Sequence, residues 1–350
     1  MVIFKTFSSF VKTFSQTALE IKRCVTILVY SIIDKQCIAE RFGMKKSCDF
    51  AAIGYCGIDS IAIVPSIPLD SKVEIIESFE QGGGPAATAA VAAARLGADT
   101  VFIGSVGDDS AGNAILEEFS SENVDTSHIA VRKGGTSPRA YCWIEANTGK
   151  RSIAWTRGKR EELASDEVDE ELIKNSRICH LDGHQMEAAL AAAKIAAENN
   201  IPVSLDAGTI RPGIEKIIEL TDILISSEEF ARRYTGESDN ESALRALGKN
   251  GAAVTAVTMG EKGSMALGKD GEIIRCPAFK ITPVDTTGAG DVFHGAFCVR
   301  YLETKDVYEC MRFASAVSAL KCLKSGGRTG IPSRAEVDEF LKRVCSDMGR

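Results

Sequence analysis

The sequence contains few of the residues that build metal and disulfide sites. It has four histidines and two tryptophans among 350 residues. His180 and His184 form the only close histidine pair, and a strand is predicted to end between them, so we expect no metal site there. Eleven cysteines are present, but none forms a C-x-x-C pair. This usage excludes a disulfide framework and predicts a reducing, cytoplasmic location.

The chain also lacks a basic surplus and a long apolar segment. Its 41 Lys and Arg against 48 Asp and Glu give a net charge of −7, whereas proteins that bind nucleic acids depend on cationic side chains. The longest uncharged apolar run, residues 24–33, is too short to cross a bilayer. Hydrophobic residues make up 45% and charged residues 25%, as in globular enzymes. We therefore expect neither nucleic acid nor a membrane as a partner.

Residues 1–47 differ from the rest of the chain. They are basic, Glu20 is their first acidic residue, and phenylalanines recur at helical spacing. One interpretation is a transit peptide for organelle import. The other, which we favour, is that translation starts at Met44 and that residues 1–43 are not part of the protein, because Met44 leads directly into the first predicted strand.

From residue 49 onward, β-type runs alternate with Ala-rich helical segments. This alternation predicts an α/β fold with a mainly parallel sheet, in one domain over residues 48–345. Two segments near 58–79 and 139–155 alternate as short strands without a helix between them. We predict that they form a small antiparallel sheet that covers a ligand site, because ligands bind beyond the carboxyl ends of the strands in such folds.

The strongest motif is V-D-T-T-G-A-G-D at residues 284–291, followed by an apolar helix. Three small residues at a helix start, Gly288, Ala289 and Gly290, leave backbone N–H groups open to an anion. Asp291 follows where it could accept a proton from a hydroxyl group. These parts suit phosphoryl transfer. The alternative is a structural turn capped by an aspartate.

This motif resembles the second signature, D-T-x-G-A-G-D, of the ribokinase/PfkB family of carbohydrate kinases. Residues 81–109, with Q-G-G-G-P and later G-S-V-G-D-D, resemble the first signature, and residues 82–97 and 313–332 are most similar to the sulfofructose-kinase branch. The resemblance spans residues 49–345. It implies a ribokinase-like three-layer α/β/α sandwich with a small β-sheet lid and an ATP-dependent sugar kinase activity.

The resemblance also implies roles for single residues. Asp291 would be the general base, with Gly288, Ala289 and Gly290 as the anion hole. The residues implied to bind the sugar are Asp59, Gly83 and Gly84. Those implied to bind the nucleotide are Ser227, Thr258, Gly260, Gly263, Ser315 and Gly326.

Two positions depart from the family pattern. Ala87 replaces an asparagine of the first signature, which removes one polar sugar contact. The N-x-x-E element that organises magnesium-bound water is S-E-E-F at residues 227–230, and Glu228 is the candidate residue for the metal. We expect Mg²⁺ as a partner of ATP, and K⁺ is a second expected cation.

Three further expectations stay open. A nucleoside kinase of the same fold would need a base-stacking aromatic in the lid, and Tyr141, Trp143 and Trp155 are candidates. A regulator without catalysis would fit the changed residues 227–230. The lid is also a candidate surface for a homodimer, and Arg151 is a candidate to reach the site from it.

Overall fold

The computed structural model describes residues 48–148 and 150–348, so the predictions for residues 1–47 lie outside the described part. Its main sheet contains β1 (Phe50–Ile53), β4 (Thr100–Gly107), β5 (Val124–Asp125), β6 (Ile129–Arg132), β9 (Cys179–Leu181), β10 (Val203–Ala207), β11 (Ile223–Ser227), β12 (Val254–Thr258), β13 (Ser264–Leu267) and β14 (Ile273–Cys276). The strand order is β14-β13-β12-β11-β10-β9-β1-β4-β5, with β6 beside β4. Strands from β12 to β5 pair in parallel, and only β13 and β14 are antiparallel.

Ten α-helices connect these strands within the described residues. They are α1 (Pro85–Arg95), α2 (Ser110–Ser121), α3 (Glu170–Lys174), α4 (Met186–Glu198), α5 (Ile214–Ile218), α6 (Glu228–Thr235), α7 (Asn240–Gly248), α8 (Ala289–Thr304), α9 (Val307–Lys321) and α10 (Arg334–Met348). No helix of this part of the chain is long and apolar enough to cross a membrane.

The helices form two layers, one on each side of the sheet. One apolar core joins the sheet to α1, α2, α8, α9 and α10, and the other joins it to α3 through α7. Alternate residues of β1 enter opposite cores, because successive side chains of a strand point to opposite faces. Phe50 and Ala52 belong to the first core, whereas Ala51 and Ile53 belong to the second. The predicted α/β/α sandwich is therefore confirmed.

The lid is a separate sheet of four strands. It contains β2 (Gly57–Val64), β3 (Glu77–Gly83), β7 (Arg139–Glu145) and β8 (Arg151–Thr156) in the order β3-β2-β7-β8. The prediction of an antiparallel lid is wrong for its central pair, since β2 and β7 run parallel while the two outer pairs are antiparallel. The reason is that β2 and β7 each leave the main sheet after parallel strands, β1 and β6, and so continue in a shared direction.

Side chains of the lid are less buried than those of the main sheet. Cys142 on β7 is half-buried, and Trp143 and Trp155 are exposed. In contrast, Cys179 in the main sheet and Cys298 on α8 are buried.

Close contact between α1 and α8 holds the start of α8 against the sheet. A Cβ atom added at Gly295 would lie 2.3 Å from the carbonyl oxygen of Ala89. Both residues are helical, so the space cannot open without separating two backbones. Gly295 therefore sets the distance between the helix that follows the DTTGAGD segment and the helix that follows Gly84.

We predict that Gly295→Ala destabilises the protein by about 1–3 kcal/mol, because an added methyl group in a packed core forces the backbones apart. The sign of the change in the free energy of unfolding is informative, because helix propensity alone would stabilise the alanine variant by up to about 1 kcal/mol. Denaturant unfolding of the two proteins measures the difference. Equal or increased stability of the variant would contradict the close packing.

Candidate active site

Polar side chains gather where the central strands end. Asp182 follows β9, Asp206 lies near the end of β10, and parallel strands place these ends on one edge of the sheet. The carboxylate of Asp182 accepts hydrogen bonds from the backbone N–H groups of Tyr55 at 2.9 Å, His184 at 2.9 Å and Ala86 at 3.1 Å. Asp182 thus connects the end of β1, its own loop and the start of α1.

The segment before α8 forms a rigid loop at this edge. The carboxylate of Asp285 accepts hydrogen bonds from the N–H groups of Thr287 and Gly326, each at 2.8 Å. The ammonium of Lys321, a fully buried side chain, donates to the carbonyl oxygen of Asp285 at 3.0 Å. Gly288 then takes a positive φ of 73° and caps the helix.

The helix start presents fewer free donors than the sequence suggests. The N–H of Ala289 donates to the carbonyl of Thr286 at 3.2 Å, whereas Gly290, as the second helical residue, has no partner within the helix ladder. A Cβ atom at Gly290 would meet nothing within 4 Å, so its backbone faces open space. Of the three predicted anion-hole residues, Gly290 has the most accessible geometry.

Asp291 lies near two other carboxylates, those of Asp206 and Asp182. Its side chain is half-buried, and burial, together with the negative charges of Asp206 and Asp182, raises its pKa to about 7. His294, one turn further along α8, forms a buried ion pair with Asp206 at 3.2 Å. Burial alone would raise the pKa of Asp206, but His294 holds it below its usual value. A carboxylate whose pKa lies near 7 suits a general base.

The predicted sugar contacts lie together at the base of the lid. Asp59 of β2 lies against the backbone of Gly83. A Cβ atom added at Gly83 would be 2.4 Å from Oδ2 of Asp59. Gly84 has a φ of 107°, and a Cβ there would be 2.2 Å from the carbonyl oxygen of Tyr55. Burial raises the pKa of Asp59, and the nearby Arg328 partly offsets this. Gly84 is therefore required by space and by conformation, and Gly83 by space alone.

Arg328 is a central residue that the sequence patterns did not identify. Its buried guanidinium donates to the carbonyl of Gly83 at 3.1 Å and to Oγ1 of Thr88 at 3.2 Å, and it forms an ion pair with Glu118 at 3.1 Å. Glu118 in turn accepts the N–H of Gly82. Arg328 thus connects the chain after α9 to the glycine segment. No motif marked it, because its partners are more than 200 residues away in sequence.

The predicted nucleotide residues occupy the other end of the edge. Ser227 and Thr258 are register partners at the ends of β11 and β12. The Ser227 hydroxyl caps α6 by accepting the N–H of Phe230 at 3.1 Å. Gly260 and Gly263 have positive φ values of 58° and 89°; Gly260 begins a short 3-10 turn and Gly263 follows it.

Ser315 lies next to Cys276, whose carbonyl oxygen is against Gly263, whereas Gly326 belongs to a different loop. Ser315 is buried on α9, where its hydroxyl helps to lower the pKa of Cys276, although burial raises that pKa overall. Gly326 belongs to the DTTGAGD loop through its hydrogen bond to Asp285. An added Cβ there would lie 2.5 Å from Oε1 of Gln81.

Glu228 begins α6, next to Ser227. Its carboxylate accepts a hydrogen bond from Asn240 at 2.9 Å and lies 3.7 Å from Arg232. Within the described residues, no group of three or more His, Cys, Asp or Glu side chains is arranged to hold a metal. The side chain retains 30% exposure, which leaves room for a contact through water.

The lid reaches the phosphoryl-transfer loop through one arginine. Nη1 of Arg151 on β8 donates to Oγ1 of Thr287 at 2.9 Å. These residues are separated by 136 positions in the chain. The lid therefore closes directly over the loop that precedes Gly288.

Comparisons with known proteins agree with this arrangement of a phosphoryl-transfer site under a lid. The model of the pfkB family carbohydrate kinases matches residues 49–334. The ribokinase of Haemophilus influenzae is 32% identical over 313 residues, covering 86% of this chain and all of the relative. The ribokinase of Bacillus subtilis is 30% identical, covering 85% and 100%. The chain belongs to the pfkB family of carbohydrate kinases.

A solved structure shares the fold over the same region. The structure of Arabidopsis thaliana ribokinase with ribose and ATP has a TM-score of 0.76 and 26% identity, covering 85% of this chain and 99% of that one. Fructokinase-1 of Zea mays is also related, at 28% identity over 81% of this chain and 95% of the relative. The family and these relatives identify the protein as an ATP-dependent sugar kinase.

We predict that kcat/KM falls as the pH decreases through about 7. The raised pKa of Asp291 means that this carboxylate becomes protonated near neutrality, and a protonated base cannot accept the hydroxyl proton. Asp206→Asn removes one negative neighbour and should move the acidic limb to lower pH. The pH profiles of both proteins test this, and a wild-type profile that is flat from pH 5 to 8 would contradict it.

Proposed function

We propose that the protein transfers the γ-phosphate of ATP to a primary hydroxyl of a sugar or sugar derivative, with Asp291 as the general base. The observation that carries this proposal is the juxtaposition of a carboxyl with a pKa of about 7 and an open helix N-terminus at Gly290. Asp59, Gly83 and Gly84 would hold the sugar hydroxyls against the base of the lid. The hydroxyl would lose its proton to Asp291 as its oxygen attacks the phosphorus.

The N–H groups around Gly288, Ala289 and Gly290 would stabilise the negative charge on the transferred phosphoryl group. The exposed guanidinium of Arg151, already next to Thr287, would add positive charge from the lid side. Ser227, Thr258, Gly260, Gly263, Ser315 and Gly326 are the proposed nucleotide contacts. Their spread along β11, β12 and α9 supports a nucleotide that extends away from the sugar.

A magnesium ion bound with ATP would neutralise the charge on the β- and γ-phosphates. Mg²⁺ usually retains several waters and takes only one or two protein carboxylates. Glu228 fits this limited role, because it is partly exposed and near the nucleotide end of the sheet edge. A need for K⁺ and a cytoplasmic location stay predictions.

We predict that Asp291→Asn lowers kcat by several orders of magnitude and leaves ATP affinity nearly unchanged. The amide keeps the size of the side chain but cannot accept the proton. Coupled detection of ADP formation gives kcat, and calorimetry gives ATP affinity. A variant with near-normal turnover would show that Asp291 is not the base.

The acceptor class can be found by thermal shift in the presence of a nonhydrolysable magnesium–ATP analogue. A ligand at a hundredfold excess over its Kd stabilises the native state by about 2.7 kcal/mol. A shift with sugars that is lost in Asp59→Ala would support the proposal. Shifts with nucleosides alone would favour a nucleoside kinase, and ATP turnover with any acceptor would exclude an inactive regulator.

We further propose that the lid forms a homodimer. Its strands expose apolar side chains, among them Trp155 at 60%, Ile153 at 52% and Tyr141 at 47% exposure. A cavity of about 450 Å³ lies between β2, β3 and β7. A single lid thus leaves apolar surface in water, which a second copy of the same sheet would cover.

We predict a dimeric mass in light scattering at micromolar concentration and a monomeric mass for Ile153→Glu, because a buried unpaired carboxylate is unfavourable in such an interface. Glu145→Gln, on the polar end of β7, serves as the control. A monomeric wild-type protein would exclude the lid dimer.

A further inference from the structure

Three arginines near the acceptor end of the site lack a carboxylate partner. Most arginines in the described part of the chain form ion pairs with Asp or Glu, among them Arg95, Arg132, Arg139, Arg177, Arg275, Arg300 and Arg334. Arg157, Arg160 and Arg211 have no such pair among the described residues. Arg160 and Arg211 are partly buried, whereas Arg157 is exposed. Because an uncompensated charge in a partly buried position is unfavourable, Arg160 and Arg211 require an explanation.

The three arginines come from different elements and converge on one place. Arg157 and Arg160 follow β8, where the lid rejoins the main domain. Arg211 lies in the loop after β10, and its Nη2 atom is 2.6 Å from Nε2 of His184. The His184 ring lies beside that of Tyr55, with centroids 4.9 Å apart. We name Arg157, Arg160, Arg211 and His184 the arginine cluster.

The contacts inside the cluster leave donors free. Arg160 uses Nε to bond the carbonyl of Ser105 at 2.7 Å and Nη1 to bond the carbonyl of Arg157 at 3.0 Å. Nε of Arg211 is buried and has no hydrogen-bond partner within the described residues. The guanidinium of Arg157 lies 5.4 Å from the Trp155 ring. Each arginine is therefore positioned by a neutral partner and keeps its charge available.

His184 adds no positive charge to this group. Burial, followed by the charges of Arg211 and Arg157, lowers its pKa to about 3. The neutral ring accepts a hydrogen bond from Arg211 and holds that guanidinium in place. Asp182 and Glu162 are the negative neighbours of Arg211, but burial and the charge of Arg157 lower the pKa of Arg211 overall. Asp182 already accepts three backbone N–H groups, so the carboxylates near the cluster do not balance its positive charge.

The cluster lies at the acceptor end and not at the nucleotide end. Arg160 contacts Ser105 of β4, and Tyr55 follows β1, whereas Thr258 ends β12. Five strand spacings separate β4 from β12, a distance of about 24 Å at ~4.8 Å per spacing. Tyr55 also shares Asp182 with Ala86 at the start of α1, directly after Gly84. The cluster is therefore a neighbour of the proposed sugar contacts.

We propose that the arginine cluster binds an anionic group carried by the sugar acceptor, at the end away from the hydroxyl that is phosphorylated. This proposal rests on the proposed function and specifies its substrate class: a sugar bearing a phosphate, sulfonate or carboxylate group. Planar guanidinium groups bind such oxyanions through paired N–H donors. The bound oxyanion adds negative charge to that of Asp182 and Glu162 and pairs directly with guanidinium donors that have no ion pair.

The test compares acceptors that differ in charge, using the full chain with magnesium–ATP. The panel pairs neutral D-fructose and D-ribose with a hexose 6-phosphate, a 6-deoxy-6-sulfo hexose and D-gluconate. We expect kcat/KM for the best anionic acceptor to exceed that for the neutral sugars by about 100-fold or more, since a hydrogen bond to a charged group contributes up to a factor of about 10–100. The anionic acceptor with the highest kcat/KM identifies which oxyanion is bound.

Two variants and one control assign the effect to the cluster. Arg157→Gln and Arg211→Gln should each lower kcat/KM for the anionic acceptor by about 10- to 100-fold, mainly through KM, with little change for neutral sugars or in the KM for ATP. Arg245→Gln makes the same change of charge on the exposed surface of α7, where Arg245 only bonds the carbonyl of Gly271, and should leave all parameters unchanged.

The outcomes separate this proposal from the assignment of the kinase. The proposal for the arginine cluster alone would be overturned if a neutral sugar were the best acceptor. It would also be overturned if the variants affected neutral and anionic acceptors equally. An increase in the KM for ATP in these two variants would indicate that the arginines bind the nucleotide, and it would also overturn the proposal for the cluster. If no sugar is phosphorylated, the proposed function fails, and calorimetry with sulfate then decides: binding lost in both variants supports the cluster, and binding unchanged overturns it.

Discussion

Burial of neighbouring carboxylates at one edge of the sheet, reinforced by their mutual repulsion, sets the protonation of the candidate site. Asp182, Asp206 and Asp291 come from β9, β10 and α8, and the parallel sheet brings them together because it aligns the carboxyl ends of its strands. Each is compensated differently: Asp182 by backbone N–H groups, Asp206 by its contact with His294, and Asp291 only by the charges of His294 and Arg328, without a hydrogen bond to either. Burial still raises the pKa of Asp182 to about 6, and it raises the pKa of the less compensated Asp291 to about 7.

Such crowding requires a rigid surround, since a mobile loop would relieve the repulsion by moving away. Two buried cations supply that rigidity. Lys321 holds the carbonyl of Asp285, and Arg328 holds the carbonyl of Gly83. Both come from the end of α9 and the turn after it, so one short region fixes both the DTTGAGD loop and the Gly83–Gly84 segment. Gly295 completes this frame by keeping α8 close to α1.

Local patterns predicted much of the fold. The alternation of β-type runs with Ala-rich segments from residue 49 onward predicted the mainly parallel sheet between two layers of helices, because such alternation is typical of α/β folds. Pairing within the lid could not be predicted, since it depends on which main-sheet strand precedes each lid strand. The DTTGAGD segment and the Gly83–Gly84 pair could be identified because their chemistry is contiguous. Arg328 and the Asp206–His294 pair could not, because their partners are brought together only by the fold.

The distribution of charge explains why one fold can separate two anionic ligands. The chain as a whole carries a net charge of −7, but Arg151 lies above the DTTGAGD loop, and Arg157, Arg160 and Arg211 lie near Tyr55. Asp206 and Asp182 lie close enough to Asp291 to add to the effect of burial on its pKa. In the proposed complex, the N–H of Gly290 and the guanidinium of Arg151 meet the transferred phosphoryl group, whereas an anionic group on the acceptor is attracted to the arginine cluster and repelled by these carboxylates. The carboxylates that raise the pKa of Asp291 therefore favour a pose in which the anionic group of the acceptor lies away from the reacting hydroxyl.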